Sequence, residues 1–303
     1  MVFVYCGQNN TSMINYRLLL FITLITTFTA CVKLDRHSTD FTKEFLFTKG
    51  IEGPAVSLDN QLFAVNYQKE GTIGLVEKDG SCSLFATLPE GSIGNGIRFD
   101  KAGNMYIADY AGHHILIIKK GTNEAVVYAH NERLNQPNDI AISPNGTLYA
   151  SDPNWKAETG NIWMIKAGKF MLLEANMGTT NGIEVSPSGK YLYVNESVQR
   201  KIWKYDIKTD GTLENKRLFA SFTDFGMDGM RCDKKGNLYV CRYGKGTVVV
   251  LSPSGKQIRE ITLKGKKPSN ITFGGEGNKQ CFVTMADRGC LETFRVRYAG
   301  KGF

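Results

Sequence analysis

The stretch GIRFDKAGNMYIAD, residues 96–109, contains the pattern that decides the fold: an apolar strand, a polar turn with glycine, and a second strand rich in aromatic and apolar residues. Six such segments occur along the chain, at residues 55–66, 96–109, 139–152, 182–196, 229–242 and 271–286. Their turn residues, spaced 43, 43, 43, 47 and 41 residues apart, are Asn60, Gly103, Gly146, Gly189, Gly236 and Gly277. A repeat of this length built from short strands is typical of the β-propeller.

Each segment is followed by a third strand, such as HHILIIKK at residues 113–120, and usually by a more polar fourth strand, such as AVVYAH at residues 125–130. The sequence therefore predicts an all-β fold, a six-bladed β-propeller with four antiparallel strands per blade. The last repeat lacks its own fourth strand. We expect the N-terminal segment FTKEFLFTK, residues 41–49, to supply that strand, closing the ring and covering the open sheet edge.

The first thirty-one residues have the features of an export signal. A basic residue, Arg17, precedes the apolar residues 18–28, and small residues then lead to Cys31. The apolar run is short for a membrane span, and Ala30-Cys31 has the form of a bacterial lipobox. We therefore expect residues 1–31 to be a signal peptide ending in a lipobox, residues 32–40 a tether, and residues 41–303 the propeller domain. Translation from Met1 or from Met13 both remain open.

An export signal of this kind predicts a protein outside the cytoplasm. It would be anchored through a lipid on Cys31, at the periplasmic face or in the outer membrane, or it would be periplasmic or secreted without the lipid. We expect no other association with membranes, and a monomer.

Charge and cysteine content exclude some classes of protein. The formal net charge is +8, but the Lys and Arg residues are scattered, so the chain does not resemble a nucleic-acid-binding protein. None of the five cysteines after Cys31 has the C-x-x-C spacing of a metal site. We expect buried free thiols, although export leaves a disulfide open. These five residues are Cys82, Cys232, Cys241, Cys281 and Cys290.

A second regularity lies ahead of each turn. A residue with a side-chain oxygen stands eight positions before each of the first five turn residues and seven before the last. These six residues, named here the ring residues, are Glu52, Asn95, Asn138, Asn181, Asp228 and Asn270. Because the innermost strands of a propeller line its axis, equivalent positions on these strands form a ring around one mouth of the central channel.

Six oxygen-bearing side chains that converge on one point are costly unless something satisfies them. Asn and Asp also favour strand entries because their side chains bond the backbone, but that preference does not explain why such a residue stands at this position in all six blades. Calcium takes six to eight oxygen ligands, and the two carboxylates balance one divalent ion. The ring therefore predicts a cation site formed by Glu52, Asn138, Asn181 and Asp228. Asn95, Asn138 and Asn270 would orient water or substrate.

The strand entries resemble a known family. EGPAV (52–56), PNDIAI (137–142), TNGIEV (180–185) and MDGMRC (227–232), together with SNITFGG (269–275), are similar to motifs of the regucalcin/gluconolactonase family, whose relatives include diisopropyl fluorophosphatase. The resemblance implies a six-bladed propeller with an axial divalent cation, at ligand positions that match Glu52, Asn138, Asn181 and Asp228. Calcium, zinc, magnesium and manganese occur among relatives, and the all-oxygen set favours calcium.

The same resemblance implies hydrolysis of lactones, with Asp228 as both ligand and general base. A cation with open positions polarises a carbonyl and acidifies bound water, which ring opening requires. We expect the loops after each second strand to form a polar cup around the substrate, in which His113 or His114 assists proton transfer or binds substrate. The expected cup residues are Tyr67, Asp109, Tyr110, His113, His114, Asp152, Asn154, Trp155, Glu196, Arg242, Tyr243 and Arg288.

One departure leaves the substrate open. The regucalcin branch has a substrate-binding arginine two residues before Asn138, where this chain has Gln136. We therefore expect a lactone of the gluconolactone type without deciding which. Two alternatives remain: the same site could hydrolyse phosphotriesters or aryl esters, or the propeller could be a non-catalytic surface scaffold, since fold alone does not decide function.

Overall fold

Six four-stranded antiparallel sheets follow one another along the chain in the computed structural model, which describes residues 34–302. Blade 1 contains β2 (Phe47–Val56), β3 (Leu62–Tyr67), β4 (Thr72–Val76) and β5 (Cys82–Thr87). Blade 2 contains β6 (Gly94–Phe99), β7 (Met105–Asp109), β8 (His114–Ile118) and β9 (Ala125–His130). Blade 3 contains β10 (Ile140–Ile142), β11 (Leu148–Asn154), β12 (Thr159–Lys166) and β13 (Lys169–Met177).

Blade 4 contains β14 (Thr180–Val185), β15 (Tyr191–Glu196), β16 (Lys201–Ile207) and β17 (Leu213–Ser221). Blade 5 contains β18 (Met230–Cys232), β19 (Leu238–Arg242), β20 (Thr247–Leu251) and β21 (Gln257–Thr262). Blade 6 contains β22 (Pro268–Gly274), β23 (Gln280–Met285), β24 (Cys290–Arg295) and β1 (Thr39–Asp40). Residues 34–302 contain one helical element, the 3₁₀ turn Glu276–Asn278, and no helix among them is long and apolar enough to span a bilayer.

The first strand of each blade is its innermost strand. It contacts the first strands of both neighbouring blades, and β22 contacts β2, so the six blades close into a ring. The predicted fold class, an all-β six-bladed propeller with four antiparallel strands per blade, is confirmed. The six predicted turn residues all adopt positive φ angles, between 60° and 88°. A left-handed backbone is most easily adopted by Gly and Asn, which explains why the repeat is visible in the sequence.

Alternating residues of each blade pack against different neighbours. In β3, Leu62 and Ala64 join the core between blades 6 and 1, whereas Phe63 and Val65 join the core between blades 1 and 2. All six residues of β3 are consequently buried. A strand buried on both faces has an apolar rather than an alternating sequence, and this accounts for the apolar runs in the inner strands.

The strand that closes the ring lies earlier than predicted. Thr39 pairs with Thr293 and Asp40 with Glu292, so the fourth strand of blade 6 is β1, not residues 41–49. Residues 47–49 instead begin the innermost strand of blade 1. The Ser38 amide also donates to the Thr262 carbonyl. Residues 34–40, expected to be a tether, therefore contain the closing strand, while the predicted signal peptide and Cys31 lie outside the described residues.

Candidate functional site

The six ring residues lie at corresponding places on the innermost strands. Glu52, Asn95, Asn181 and Asn270 lie within β2, β6, β14 and β22, and Asn138 and Asp228 each lie two residues before their strands, β10 and β18. Because these strands run in the same direction along the axis, all six residues lie toward one mouth of the channel. We call this end the ring mouth.

Glycines next to the ring residues bring neighbouring blades into direct contact. A Cβ atom at Gly53 would lie 2.1 Å from the Asn95 carbonyl oxygen, and one at Gly229 would lie 2.0 Å from Asn270 Cγ. Gly96 N–H donates to the Asn138 carbonyl at 2.9 Å. Each of these contacts joins one blade to the next, so the absent side chains allow the ring to contract around the axis.

A side-chain hydrogen bond completes the circle. Asn270 Nδ2 donates to Glu52 Oε2 at 2.8 Å, while Asn270 Oδ1 accepts from Ile271 N–H and from Arg231 Nη1. Since an arginine can only donate, this arrangement fixes which end of the Asn270 amide faces Glu52. Asn270 is fully buried and both ends of its side-chain amide bond protein groups; that it contacts substrate stays a prediction.

Neither ring carboxylate forms a salt bridge within residues 34–302, although the Arg231 charge acts on Glu52. Burial and the charge of Asp139 raise the pKa of Glu52 to about 7, against partial compensation by Gly53 N–H and Asn270. Burial, Glu52 and Asp139 raise the pKa of Asp228 well above its ordinary value. The Asn181 side chain bonds Asp228, but Asn181 Oδ1 is buried without any protein partner. A buried amide oxygen without a partner, beside two carboxylates that are only partly compensated, fits a bound cation.

The donor set consists of carboxylates and amides. Within residues 34–302, no three or more His, Cys, Asp and Glu side chains are grouped as metal ligands. A cation at the ring mouth would therefore depend on amide oxygens from Asn181 and Asn138 in addition to Glu52 and Asp228. Asn138, like Asn95 and Asp228, is half-buried. The side-chain amides of Asn138 and Asn95 form no hydrogen bond with the described residues.

Several predicted cup residues instead hold the loops that enter the ring. Asp109 accepts from Ile93 N–H, two residues before Asn95, at 3.0 Å. Asp152 accepts from Gln136 N–H at 2.7 Å. Glu196 accepts from Gly178 N–H, and Arg242 donates to Asp224. All four side chains are buried, so they position the segments before Asn95, Asn138, Asn181 and Asp228 and are not placed to contact substrate.

The remaining cup residues divide between the rim and the interior. Tyr67 is buried and donates to the Cys82 carbonyl, and Arg288 pairs with acidic side chains at the ring closure. Tyr110 and Asn154 are half-buried, and Trp155 is 44% exposed. Burial and then the Asp228 charge raise the pKa of Tyr243.

The two predicted histidines lie farther out on blade 2. His114 begins the third strand, β8, where its Nδ1 is 3.1 Å from Asp109 Oδ2 and its ring packs on His130. His113, with φ of 58°, accepts through its carbonyl from Asn131 N–H. With strands spaced about 4.8 Å apart, β8 lies about 10 Å from the innermost strand. The structure therefore describes no contact between either histidine and the ring residues.

Sequence reasoning missed a set of charged residues deeper in the channel. Arg98, Glu184 and Arg231 each lie three positions after a ring residue, and Asp139 directly follows Asn138. All four side chains are buried. The spacing from the ring residues would have found three of them, because it repeats in three blades. The five described cysteines are free, as expected.

Known proteins resemble this chain in sequence and in fold. Residues 52–287 match the family model SMP-30/Gluconolactonase/LRE-like region. The chain is 28% identical to a gluconolactonase from Zymomonas mobilis over 60% of this chain and 58% of that protein, and thus spans less than two thirds of that relative's length. It is 26% identical to diisopropyl-fluorophosphatase from Loligo vulgaris, over 85% of this chain and 94% of that protein. The calcium-binding protein regucalcin from Agrobacterium tumefaciens, 20% identical, superimposes with a TM-score of 0.75 over 90% of this chain and 98% of its own.

Proposed function

Because this chain belongs to the SMP-30/gluconolactonase/LRE-like family, we propose that it is a hydrolase that opens lactones with the help of one divalent cation at the ring mouth. Relatives named gluconolactonase and sugar lactone lactonase support the substrate class. The half-buried amides of Asn95 and Asn138, which lack protein partners, are suited to the hydroxyl groups of a sugar lactone.

The observation on which this proposal depends is the closed arrangement of Glu52, Asn181 and Asp228. Two carboxylates with raised pKa values lie beside a buried amide oxygen that has no partner. A scaffold has no need of such an arrangement, because leaving these groups unpaired costs stability.

Glu52, Asn138, Asn181 and Asp228 would hold the cation. Oxygen donors and a ligand charge of −2 favour calcium, while zinc, magnesium and manganese remain candidates. The relative described as a calcium-binding protein supports this choice. When bound, the ion would supply an electrophile for the substrate carbonyl and lower the pKa of an adjacent water.

Asp228 would orient the attacking water and accept its proton. Its carboxylate is half-buried at the mouth, and Asn181 and Gly229 N–H donate to it. Two donors fix the carboxylate, so its free lone pairs point in a defined direction. Tyr243, whose pKa is raised in part by the Asp228 charge, would line the same side of the substrate site.

A second candidate reaction is hydrolysis at phosphorus. The squid relative named diisopropyl-fluorophosphatase matches along 94% of its length. Lactone and phosphoryl centres both develop charge on oxygen in the transition state, so one cation site serves either. Aryl esters belong in the same comparison.

The proposal is tested by hydrolysis assays on protein stripped with EDTA and reloaded with each divalent ion. Substrates are gluconolactone, several furanose lactones, a phosphotriester and an aryl ester, each corrected for spontaneous hydrolysis. We expect calcium-dependent turnover of a lactone, and loss of at least about a hundredfold in Asp228→Asn, the usual scale of general-base catalysis. Asp59→Asn, at an exposed turn residue, is the matched control. Absent turnover on every substrate would favour the scaffold alternative, whereas lactone turnover that EDTA does not diminish would contradict the role of the cation.

We also propose that the protein is exported and anchored through a lipid on Cys31, as a monomer that makes no other contact with the membrane. The support is the sequence pattern before Cys31. Labelling of cells with a radioactive fatty acid should mark the wild-type protein and leave Cys31→Ser unlabelled. Equal labelling of the two proteins would contradict a lipid on Cys31. An unlabelled wild-type protein in the medium would favour secretion.

A further inference from the structure

The channel below the ring mouth contains a layer of buried charges. Arg98, Glu184 and Arg231 face the interior from blades 2, 4 and 5, with 7%, 0% and 6% of their surface exposed. Ala55 and Ala141 occupy the corresponding positions of blades 1 and 3. Both alanines pack in the apolar clusters between blades, so the charges of this layer come from blades 2, 4 and 5.

This layer is only partly satisfied by its own members. Arg98 Nη1 lies 3.1 Å from Asp139 Oδ1 and Arg98 Nη2 lies 3.6 Å from Glu184 Oε2. Arg231 Nη1 lies 3.5 Å from Asp139 Oδ2, and Lys301 pairs with Glu184. Arg231 Nη2 and Arg98 Nε are nevertheless buried without a hydrogen-bond partner. Unpaired buried donors on charged groups are expensive, so a further acceptor is expected there.

A cavity of about 630 Å³ opens directly onto these groups. It lies at the mouth opposite the ring, between the turns that join the first and second strands, and none of the six ring residues lines it. Its walls are largely apolar, including Val56, Phe99, Ile142 and Phe273, while Arg98 and Arg231 lie at its inner end. Small-molecule sites in proteins have this volume and this combination of apolar walls with a few polar groups.

Charged side chains of both signs surround the inner end of the cavity. Three cations, Arg98, Arg231 and Lys301, face two buried carboxylates, Asp139 and Glu184. The Glu52 charge also acts on Arg231, and Arg231 Nη2 is a donor that none of these carboxylates reaches. The carboxylate of a ligand would accept from the free donors, in the geometry that arginine prefers.

We propose that this cavity is a second binding site, for a small amphiphilic carboxylate. The carboxylate binds Arg231 Nη2 and the Arg98 guanidinium, and the hydrocarbon part lies against Val56, Phe99, Ile142 and Phe273. The site is separate from the proposed lactone site and does not depend on a cation at the ring mouth.

Isothermal titration calorimetry with octanoate tests the proposal, with octanamide as the uncharged analogue of the same length. We expect one octanoate per chain, both in EDTA and in calcium, and at least about tenfold weaker binding of octanamide, since hydrogen bonds to charged groups are worth more than neutral ones. Arg231→Gln should weaken octanoate to the level of octanamide. No saturable octanoate binding, or equal binding of both compounds, would overturn the proposal.

Because Arg231 also bonds Asn270, a second pair of variants at the rim keeps the test decisive if Arg231→Gln does not fold. Leu58 lines the cavity and is 43% exposed. Leu58→Asp places a negative charge at the entrance, so it should bind octanoate more weakly than the neutral control Leu58→Asn does. The two variants should bind octanamide equally. Identical octanoate affinities in the two variants would contradict an anion site.

Discussion

Asn270 Nδ2 donates a 2.8 Å hydrogen bond to Glu52 Oε2 across a sequence separation of 218 residues. This contact joins the innermost strand of the last blade to that of the first, and it fixes the rotation of a carboxylate that the proposed cation needs. Arg231 in turn orients the Asn270 amide from below. The ring at the channel mouth is therefore held by the channel interior as well as by the blades themselves.

Asn270→Ala removes the donor that orients Glu52. We expect calcium affinity to fall about tenfold or more, the usual effect of deleting a residue that orients a metal ligand. Titration calorimetry on EDTA-stripped protein measures the change. Asn123→Ala, at an exposed loop residue, is the control and should bind calcium like the wild type. Unchanged affinity in Asn270→Ala would show that Glu52 does not depend on this hydrogen bond.

The pH dependence of the calcium-free protein follows from Glu52. Its pKa is raised from 4.5 to about 7 in the folded state, so between these values the folded state binds more protons than the unfolded state. The free energy of unfolding should therefore decrease as the pH rises through this range. Glu52→Gln cannot titrate at this position, and its profile, measured by urea denaturation, should decline less. Saturating calcium should remove the decline in the wild type, whereas parallel profiles for both proteins would contradict the assignment.

Gly229→Ala tests how tightly the blades contact around the axis. The added Cβ would lie 2.0 Å from Asn270 Cγ, which forces the two blades apart or turns the Asn270 amide. We expect a loss of about 1–3 kcal/mol in the free energy of unfolding together with weaker calcium binding. Gly302→Ala, where nothing lies within 4 Å, should change neither quantity. Wild-type stability in Gly229→Ala would mean that the ring is looser than the structure indicates.

Deletion of residues 1–40 removes β1 and exposes the edge of β24. The Ser38 contact with Glu292 and the Asp40 pairs with Lys264 and Arg288 are lost as well. We expect the free energy of unfolding to fall by at least about 2 kcal/mol. We also expect self-association to increase, since an unpaired edge can pair with another chain. Thermal melts and light scattering compare this variant with deletion of residues 1–33, which retains β1. Equal behaviour of the two would show that β1 is dispensable for closure.

The fold and the ring were predictable from sequence because both depend on period. Turn residues such as Gly103 and Gly146 need a left-handed backbone in every blade, so the repeat survives in the sequence. The closing strand was misplaced because Thr39–Asp40 is two residues long and has no pattern of its own; its position depends on pairing with β24. Residues 41–49 are more apolar and were the stronger candidate by composition.

The roles of individual side chains were harder to predict from the sequence. The sequence suggests that Asp109 and Asp152 face the substrate. Both are instead buried under loops, and they accept hydrogen bonds from the N–H groups of those loops. The orientation of the Asn270 amide depends on Arg231 from another blade. The Arg231–Asn270 contact joins strands of different blades, and the two aspartates bond loops 16 residues earlier in the chain, so no local pattern specifies these contacts.

The most direct test of a cation held by the ring is anomalous diffraction from crystals grown with calcium and, separately, with manganese. The account predicts a single strong peak at the ring mouth, with oxygens of Glu52, Asn181 and Asp228 within about 2.6 Å, the calcium–oxygen range. A peak at another place, or no peak between these three side chains at saturating metal, would contradict it.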